Sequence, residues 1–305
     1  MSCAIQGSGN SEKRWKTVPH RLLLCSLFLL LAAGSCSRPK QAQVPAPEPK
    51  PPVPAKEERI TLVLSVGGSR GLAHIGAIDA LKQKGVRIHS VFGNSMGAVI
   101  GGLYVTAPNS DLTARYRALI ALYQKKTEEN TPLYRKVAIW LRLTEPAFEN
   151  KTFEAAMDEL FGHMRIEDLP TRFATSYKVR EGNTIKDVGR LSGNLAEALA
   201  RSANNPFIFK NADLVFIDPG IDRISAVPVE DAFRVFRPDR IIAVNVTGDP
   251  MFQSKDVTCA VDEVKLNIPQ FKPEDELSGA GKTFDWLYKL GFAGMTEALL
   301  RTARK

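Results

Sequence analysis

At 305 residues, with 44% hydrophobic and 24% charged side chains, the chain has ordinary globular composition and room for one large or two small domains. Four cysteines at positions 3, 25, 36 and 259 exclude a disulfide framework, and no metal-ligand spacing accompanies them. The formal net charge is +8, but no run of interleaved arginines and aromatics goes with it, which argues against nucleic acid as a partner.

The first segment is not part of a globular fold. Lys13, Arg14, Lys16 and Arg21 precede an apolar stretch from Leu22 to Ala33, too short to span a bilayer and of signal-peptide length. It runs into Ala32-Ala33-Gly34-Ser35-Cys36, which resembles a bacterial lipoprotein signal. The resemblance implies removal of residues 1–35, lipidation of Cys36, and a membrane-anchored lipoprotein of the bacterial cell envelope, periplasmic or outer-membrane associated. Ala33 stands where leucine is commonest and the basic region is long, so an uncleaved membrane anchor is the alternative. Removal of residues 1–35 takes away four basic residues and one acidic one, leaving +5, a mild excess suited to anionic membrane surfaces. Residues 37–57 then carry seven prolines and almost nothing large and apolar. That composition makes an extended, semi-rigid linker of about 3 Å per residue, roughly 60 Å at full stretch.

From residue 58 to about 250 the pattern alternates between β and α. Ile60 to Val66 is a near-continuous apolar run of a buried parallel strand. Leu72, Ile75, Ile78 and Leu81 recur at helical spacing up to Gly85. Arg87 to Phe92 reads as a second strand, Met96 to Tyr104 as a small-residue helix, and Leu112 to Tyr123 as an amphipathic helix. Leu133 to Leu143 reads as a cap helix, with a basic membrane-surface helix as the alternative. Arg172 to Tyr177, Thr184 to Val188, Leu214 to Ile217 and Arg240 to Val246 read as strands, and Leu195 to Ala203 as helix. Residues 251–305 read as a polar segment and a last amphipathic helix, Phe284 to Leu300, packing on the domain. This alternation implies an α/β sheet covered on both faces.

Two turns could do chemistry. Gly67-Gly68-Ser69-Arg70-Gly71 follows the first strand and presents backbone N–H groups able to hold an oxyanion. Gly93-Asn94-Ser95-Met96-Gly97 follows the second, a strand–elbow–helix signature that pushes a serine hydroxyl out on a sharp bend. Together they suggest acyl transfer. Only His163 among the four histidines follows Ser95, and it precedes all the later strands, so a Ser–His–Asp triad of α/β-hydrolase order does not fit.

These residues resemble the patatin-like phospholipases. Ser65 to Gly76 is similar to the family's oxyanion turn and Gly93-Asn94-Ser95-Met96-Gly97 to its nucleophile elbow. Ala200-Arg201-Ser202-Ala203-Asn204-Asn205-Pro206 resembles the block before its last catalytic strand. Ile217-Asp218-Pro219-Gly220-Ile221, followed by Val227-Pro228-Val229, resembles the strand end bearing the family aspartate. The resemblance implies a three-layer α/β/α fold with a mostly parallel central sheet. It also implies a Ser–Asp dyad, Ser95 as nucleophile and Asp218 as general base, acting on phospholipid or related lipid esters. Gly67, Gly68, Ser69, Arg70 and Gly71 would form the oxyanion hole, with Arg70 steadying the loop or a lipid phosphate, and Gly93, Gly97 and Gly220 would shape the turns. No metal or cofactor is required, and nothing resembles a calcium loop.

Two residues depart from the family pattern. Val66 occupies the first of three usual glycines, a position that must then avoid positive φ. Pro219 follows Asp218 where glycine is usual, which fixes its own φ and pushes Asp218 toward extended geometry. Both keep open a weak or inactive envelope lipoprotein of this fold that binds lipid or a partner. A dinucleotide site is disfavoured, since Val66 breaks Gly-x-Gly-x-x-Gly and no acidic residue closes a second strand.

Overall fold

The computed structural model describes residues 57–141, 149–182, 184–209, 215–222, 224–269 and 282–302. The signal-like segment, Cys36 and nearly all of the proline-rich stretch lie outside them, as does Leu214. The first strand, β1 (Ile60–Leu64), is buried along its whole length, as its unbroken apolar run requires. Its side chains alternate between two cores: Leu62 and Leu64 enter the larger and Val63 the smaller.

Among the described residues seven strands form one sheet. With β2 (Ser90–Gly93), β3 (Arg172–Glu181), β4 (Thr184–Arg190), β6 (Arg240–Asn245) and β7 (Ala260–Lys265), the order is β4-β3-β2-β1-β6-β7, and β5 (Phe216–Ile217) pairs with β3. The run β3-β2-β1-β6-β7 is parallel, while β4 and β5 are antiparallel to β3. In register, Leu64 lies beside Gly93 and Val244, which aligns the carboxyl ends of β1, β2 and β6. Sites in open α/β sheets form at such ends.

The helices are α1 (Ala73–Gln83), α2 (Met96–Thr106), α3 (Leu112–Asn130), α4 (Leu133–Trp140), α5 (Asn150–Phe161), α6 (Leu195–Ser202), α7 (Val229–Phe236) and α8 (Lys282–Thr302). The larger core joins one sheet face to α1, α2, α3, α5, α6 and α8. On the other face, Val229, Ala232, Phe233 and Phe236 of α7 cover Val63, Phe92, Ala174, Ile241 and Ala243. The result is a mostly parallel sheet with helices on both faces, as expected.

Several elements differ from the sequence reading. The strand β2 begins at Ser90, three residues later than expected, and α5 and α7 were not anticipated. The polar segment after Pro250 contributes β7, an edge strand of the same sheet, so the sheet does not end near residue 250. Its residues are mostly half-exposed, and that polarity hides it from an apolar-run search. The helix α4 falls within the stretch Leu133–Leu143 read as a cap helix, whose last two residues lie outside the described ones, and it leaves Leu133, Tyr134 and Val137 exposed. Of the four α8 residues expected to pack on the domain, Phe284 and Leu287 are buried and Leu290 is half-buried, whereas Trp286 is exposed.

The closest helix contact is α1 on α8, at Gly76 and Gly291. A Cβ on Gly291 would lie 1.8 Å from the Ala73 carbonyl oxygen, and one on Gly76 would lie 2.0 Å from that of Tyr288. Backbone meets backbone there, so no side chain can yield. Gly291→Val should therefore destabilise the protein by about 2–3 kcal/mol or more, read as a lower urea midpoint. An unchanged midpoint would refute this crossing.

Candidate active site

Ser95 stands between the end of β2 and the start of α2, with φ 55° and ψ −127°. A non-glycine residue held there costs about 1–3 kcal/mol, so its surroundings must impose the conformation. They do so from several directions. The Ser95 N–H donates to Ser202 Oγ at 3.0 Å, and that oxygen also accepts from Thr175 Oγ1 at 2.9 Å. Asn94 Oδ1 accepts from the N–H and hydroxyl of Ser176 at 3.1 and 3.0 Å, while its Nδ2 donates to the Ser225 carbonyl at 3.0 Å. Gly97 lets the bend sit on the end of β1: a Cβ there would lie 2.4 Å from the Leu64 carbonyl oxygen. On Gly93 it would lie 2.3 Å from the Gly97 carbonyl oxygen.

Asp218 follows β5 and caps a short 3-10 turn, Pro219–Ile221. Its Oδ2 accepts the Ser95 hydroxyl at 2.5 Å and its Oδ1 the Gly220 N–H at 2.6 Å. The Asn205 side chain also bonds the carboxylate. The Asp218 N–H donates to the Asn204 carbonyl at 3.2 Å, and Asn204 Nδ2 donates to that of Phe216 at 2.6 Å. Ser95 is 5% exposed and Asp218 is wholly buried. Burial pushes the Asp218 carboxyl up to about 6, against the opposing hydrogen bonds from Ser95, Gly220 and Asn205.

The glycine turn lies against this elbow. Gly68 takes φ 53°, a left-handed value suited to glycine, and opens a 3-10 turn, Gly68–Leu72. A Cβ on Gly71 would meet Met96 Cγ at 2.4 Å. The N–H groups of Gly67 and Gly68 find no acceptor among the described residues, whereas Ser69 is buried within the turn. Arg70, grouped with the oxyanion turn and expected to steady the loop or a lipid phosphate, closes the loop. Its N–H and Nε donate to the Gly67 carbonyl at 3.0 and 3.3 Å, and its guanidinium reaches the Thr247 carbonyl at 3.0 Å.

The Patatin-like phospholipase family model matches residues 62–233, from β1 through α7 and more than half of the chain. The chain belongs to the patatin-like phospholipase family. Among relatives, a Lysophospholipase NTE1 of Yarrowia lipolytica is 35% identical over 122 residues, covering 39% of this chain and 8% of that protein. An uncharacterized NTE family protein of Mycobacterium tuberculosis is 28% identical over 221 residues, 68% of this chain and 55% of its own. The chain thus spans about half or less of these relatives' length. A solved structure of the ExoU–SpcU complex of Pseudomonas aeruginosa aligns over 81% of this chain and 52% of that one, at 16% identity and a TM-score of 0.46. Membership supports lipid acyl hydrolysis as the class of activity.

Within this patatin-like frame the two departures have a local account. Val66 lies outside the positive-φ region, and its N–H donates to the Ala226 carbonyl at 2.9 Å. Pro219 is the first residue of the turn that Asp218 caps, where the missing N–H would have had no helical partner. Asp218 itself is at φ −54° and ψ 130°, the extended ψ expected before proline.

Among the described residues no histidine bonds to the pair. His163 is 89% exposed near Asp158, and the His89 ring accepts from the Ile60 N–H at 3.2 Å. His74 is fully buried with Nε2 against the Ser65 carbonyl at 3.0 Å, and burial lowers it to about 4 despite that bond. The supporting role of Ser202 was missed, although it lies in the block that resembles the family. Asn94 was likewise quoted only as part of the elbow. Helix periodicity marks Ser202 as buried but says nothing of its partner, 107 residues away.

Because the backbone is built around both departures, reverting them should cost stability. Val66→Gly should lose about 2 kcal/mol with the buried side chain, and Pro219→Gly about 0.4–1 kcal/mol through the freed unfolded chain. Urea titration measures both, and a rise in either midpoint would mean that the native site is strained by these residues.

Proposed function

We propose that this chain is a serine acyl hydrolase that cleaves carboxylic esters of phospholipids or related lipids through an acyl-enzyme on Ser95. The observation that carries the reading is the buried 2.5 Å hydrogen bond from the Ser95 hydroxyl to Asp218, beside a turn whose Gly67 and Gly68 N–H groups find no acceptor among the described residues. Ser95 Oγ attacks the ester carbonyl while its proton passes to Asp218 Oδ2. The developing oxyanion is held by the N–H groups of Gly67 and Gly68, with Arg70 keeping the loop closed. Collapse expels the alcohol, which takes the proton from Asp218. Water then attacks the acyl-enzyme, giving up a proton to Asp218, and collapse releases the carboxylic acid while Asp218 returns the proton to Ser95 Oγ. A raised carboxyl narrows the gap to the serine hydroxyl and makes Asp218 a better proton acceptor. Phe207, Ile221 and Ile224, close in sequence to Asn205 and Gly220, are exposed apolar side chains.

Ser95→Ala should abolish ester hydrolysis and fluorophosphonate labelling with the fold retained. Asp218→Asn cannot take a proton, so turnover should fall by on the order of a hundredfold or more, while His89 and His163 variants keep most activity. Since the base must be ionised, turnover should rise with pH through about 6. The same raised value means that the folded state binds this proton more tightly than the unfolded one. Stability from that proton is present below the unfolded value of 3.8 and is lost as pH rises through about 6. Asp218→Asn should therefore retain or gain stability at pH 8, by at most about 3 kcal/mol. An inactive Asp218→Asn protein that is also strongly destabilised would point to a structural role instead. A folded wild type that takes no label and cleaves no ester of a lipid panel would leave a lipid-binding protein without turnover.

We further propose that Cys36 carries the lipid that anchors this hydrolase to a bacterial envelope membrane. Its support is the basic region, the short apolar core and the proline-rich tether around it. Mass spectrometry of the mature N-terminus should find a diacylglyceryl-modified Cys36 as the first residue. An unmodified Cys36, or a mature chain beginning elsewhere, would overturn the anchor.

A further inference from the structure

On the sheet face covered by α7, where β3 otherwise presents Ala174 and Ser176, stands a buried lysine. The Lys178 side chain is only 7% exposed. Its ammonium reaches Asp187 Oδ1 of β4 at 2.5 Å, Asp222 Oδ2 at 2.6 Å and Ser225 Oγ at 3.3 Å. Three acceptors match the three N–H donors of an ammonium, so the group is fully satisfied. Desolvation alone would lower its pKa, but the two carboxylates outweigh that and raise it. An apolar side chain of similar volume would hold this sheet position without burying a charge.

The partners of Lys178 lead to both halves of the site. Asp222 closes the turn that Asp218 opens, its N–H donating to the Pro219 carbonyl at 3.3 Å. Asp222 Oδ1 accepts the Ser225 N–H at 2.7 Å. The Ser225 carbonyl in turn accepts Asn94 Nδ2 at 3.0 Å, one residue before Ser95. One cation therefore ties the segment bearing Asp218 to the turn bearing Ser95. We propose that Lys178 is a positioning residue for the Ser95–Asp218 pair, fixing the separation of hydroxyl and carboxylate through Asp222 and Ser225. The proposal rests on the reading of that pair as catalytic.

The test uses the full chain with Lys178→Met, Lys178→Arg, Asp222→Asn and Asp187→Asn. It measures the rate of fluorophosphonate labelling at Ser95, kcat and KM on a soluble short-chain ester, and thermal unfolding. Asp187 and Asp222 are 66% and 39% exposed, so both can hydrate when Lys178 is removed and the fold should survive. A misplaced reacting pair loses rate steeply with distance. Lys178→Met and Asp222→Asn should slow labelling and kcat by roughly tenfold or more, with KM within about twofold. Lys178→Arg should restore part of the loss, and Asp187→Asn should cost less than Asp222→Asn, since Asp187 does not touch the Asp218 turn. Folded Lys178→Met and Asp222→Asn proteins with wild-type labelling rates would overturn the proposal. So would losses of kcat that merely track the melting temperature across the four variants. If Lys178→Met does not fold, Asp222→Asn decides alone, because it leaves the Lys178–Asp187 pair in place. A wild type that fails to label at all overturns the catalytic reading; a labelled wild type with indifferent variants overturns only the role of Lys178.

Discussion

One hydrogen bond organises this molecule: the Ser95 hydroxyl on the Asp218 carboxylate, buried and 123 residues apart in sequence. An unpaired carboxylate cannot be buried cheaply, so the structure surrounds it with donors from Ser95, Gly220 and Asn205. Ser95 and Asp218 come from different stretches of chain, and each stretch follows a strand of the sheet. The Gly93 that ends β2 pairs with Leu64 of β1 and Thr175 of β3, while Ile217 before Asp218 pairs with Lys178 of β3. β3 is thus the element both residues share. Its Thr175 supports Ser202 on one sheet face while Ser176 and Lys178 engage Asn94, Asp222 and Ser225 on the other.

The second constraint is the strained bend at Ser95. A positive φ on a side chain with a Cβ survives only where neighbours over-determine it. Here the N–H is taken by Ser202, and the Ser95 carbonyl accepts from both Ala98 and Val99 at 2.9 and 3.1 Å. The glycines on either side permit contacts that no side chain would tolerate. The strain and the buried charge fall at the same place, which is where a protein gives up stability for a site.

What was legible in the sequence follows the range of the interaction. The glycine turn, the elbow and the aspartate at its strand end are local patterns, and each sits where its motif implied. The parallel sheet was legible from apolar β-branched runs such as Ile60 to Val66. The strand β7 was not, because an edge strand with half-exposed Val261, Asp262 and Glu263 has no continuous apolar run. The helix α5 carries Phe153, Ala156, Met157 and Phe161 on one buried face, a helical spacing that was present and overlooked. The supports of the site are of another kind. Ser202, Asn94 and Lys178 act across the fold, and nothing in their immediate neighbours announces a partner. Arg70 stands between the two cases: its place in the turn was legible, but the direction of its donors depended on Thr247, far along the chain.

The two departures from the family pattern are best understood together. Val66 and Pro219 are distant in sequence, but they meet around Gly220. A Cβ built there would lie 3.2 Å from Val66 Cγ2 and 3.0 Å from Asp218 Oδ1. The valine side chain therefore fills the space that the glycine leaves, next to the carboxylate it helps to bury. Pro219 fixes the entry to the same turn, whose N–H at Gly220 binds Asp218 Oδ1. A first glycine at position 66 would leave this wall open, and a glycine at 219 would free the turn that points the N–H. Each residue makes up for what the other lacks: apolar bulk from one, restricted backbone from the other. The departures thus form one packed arrangement at Gly220, beside the carboxyl of Asp218 that burial raises.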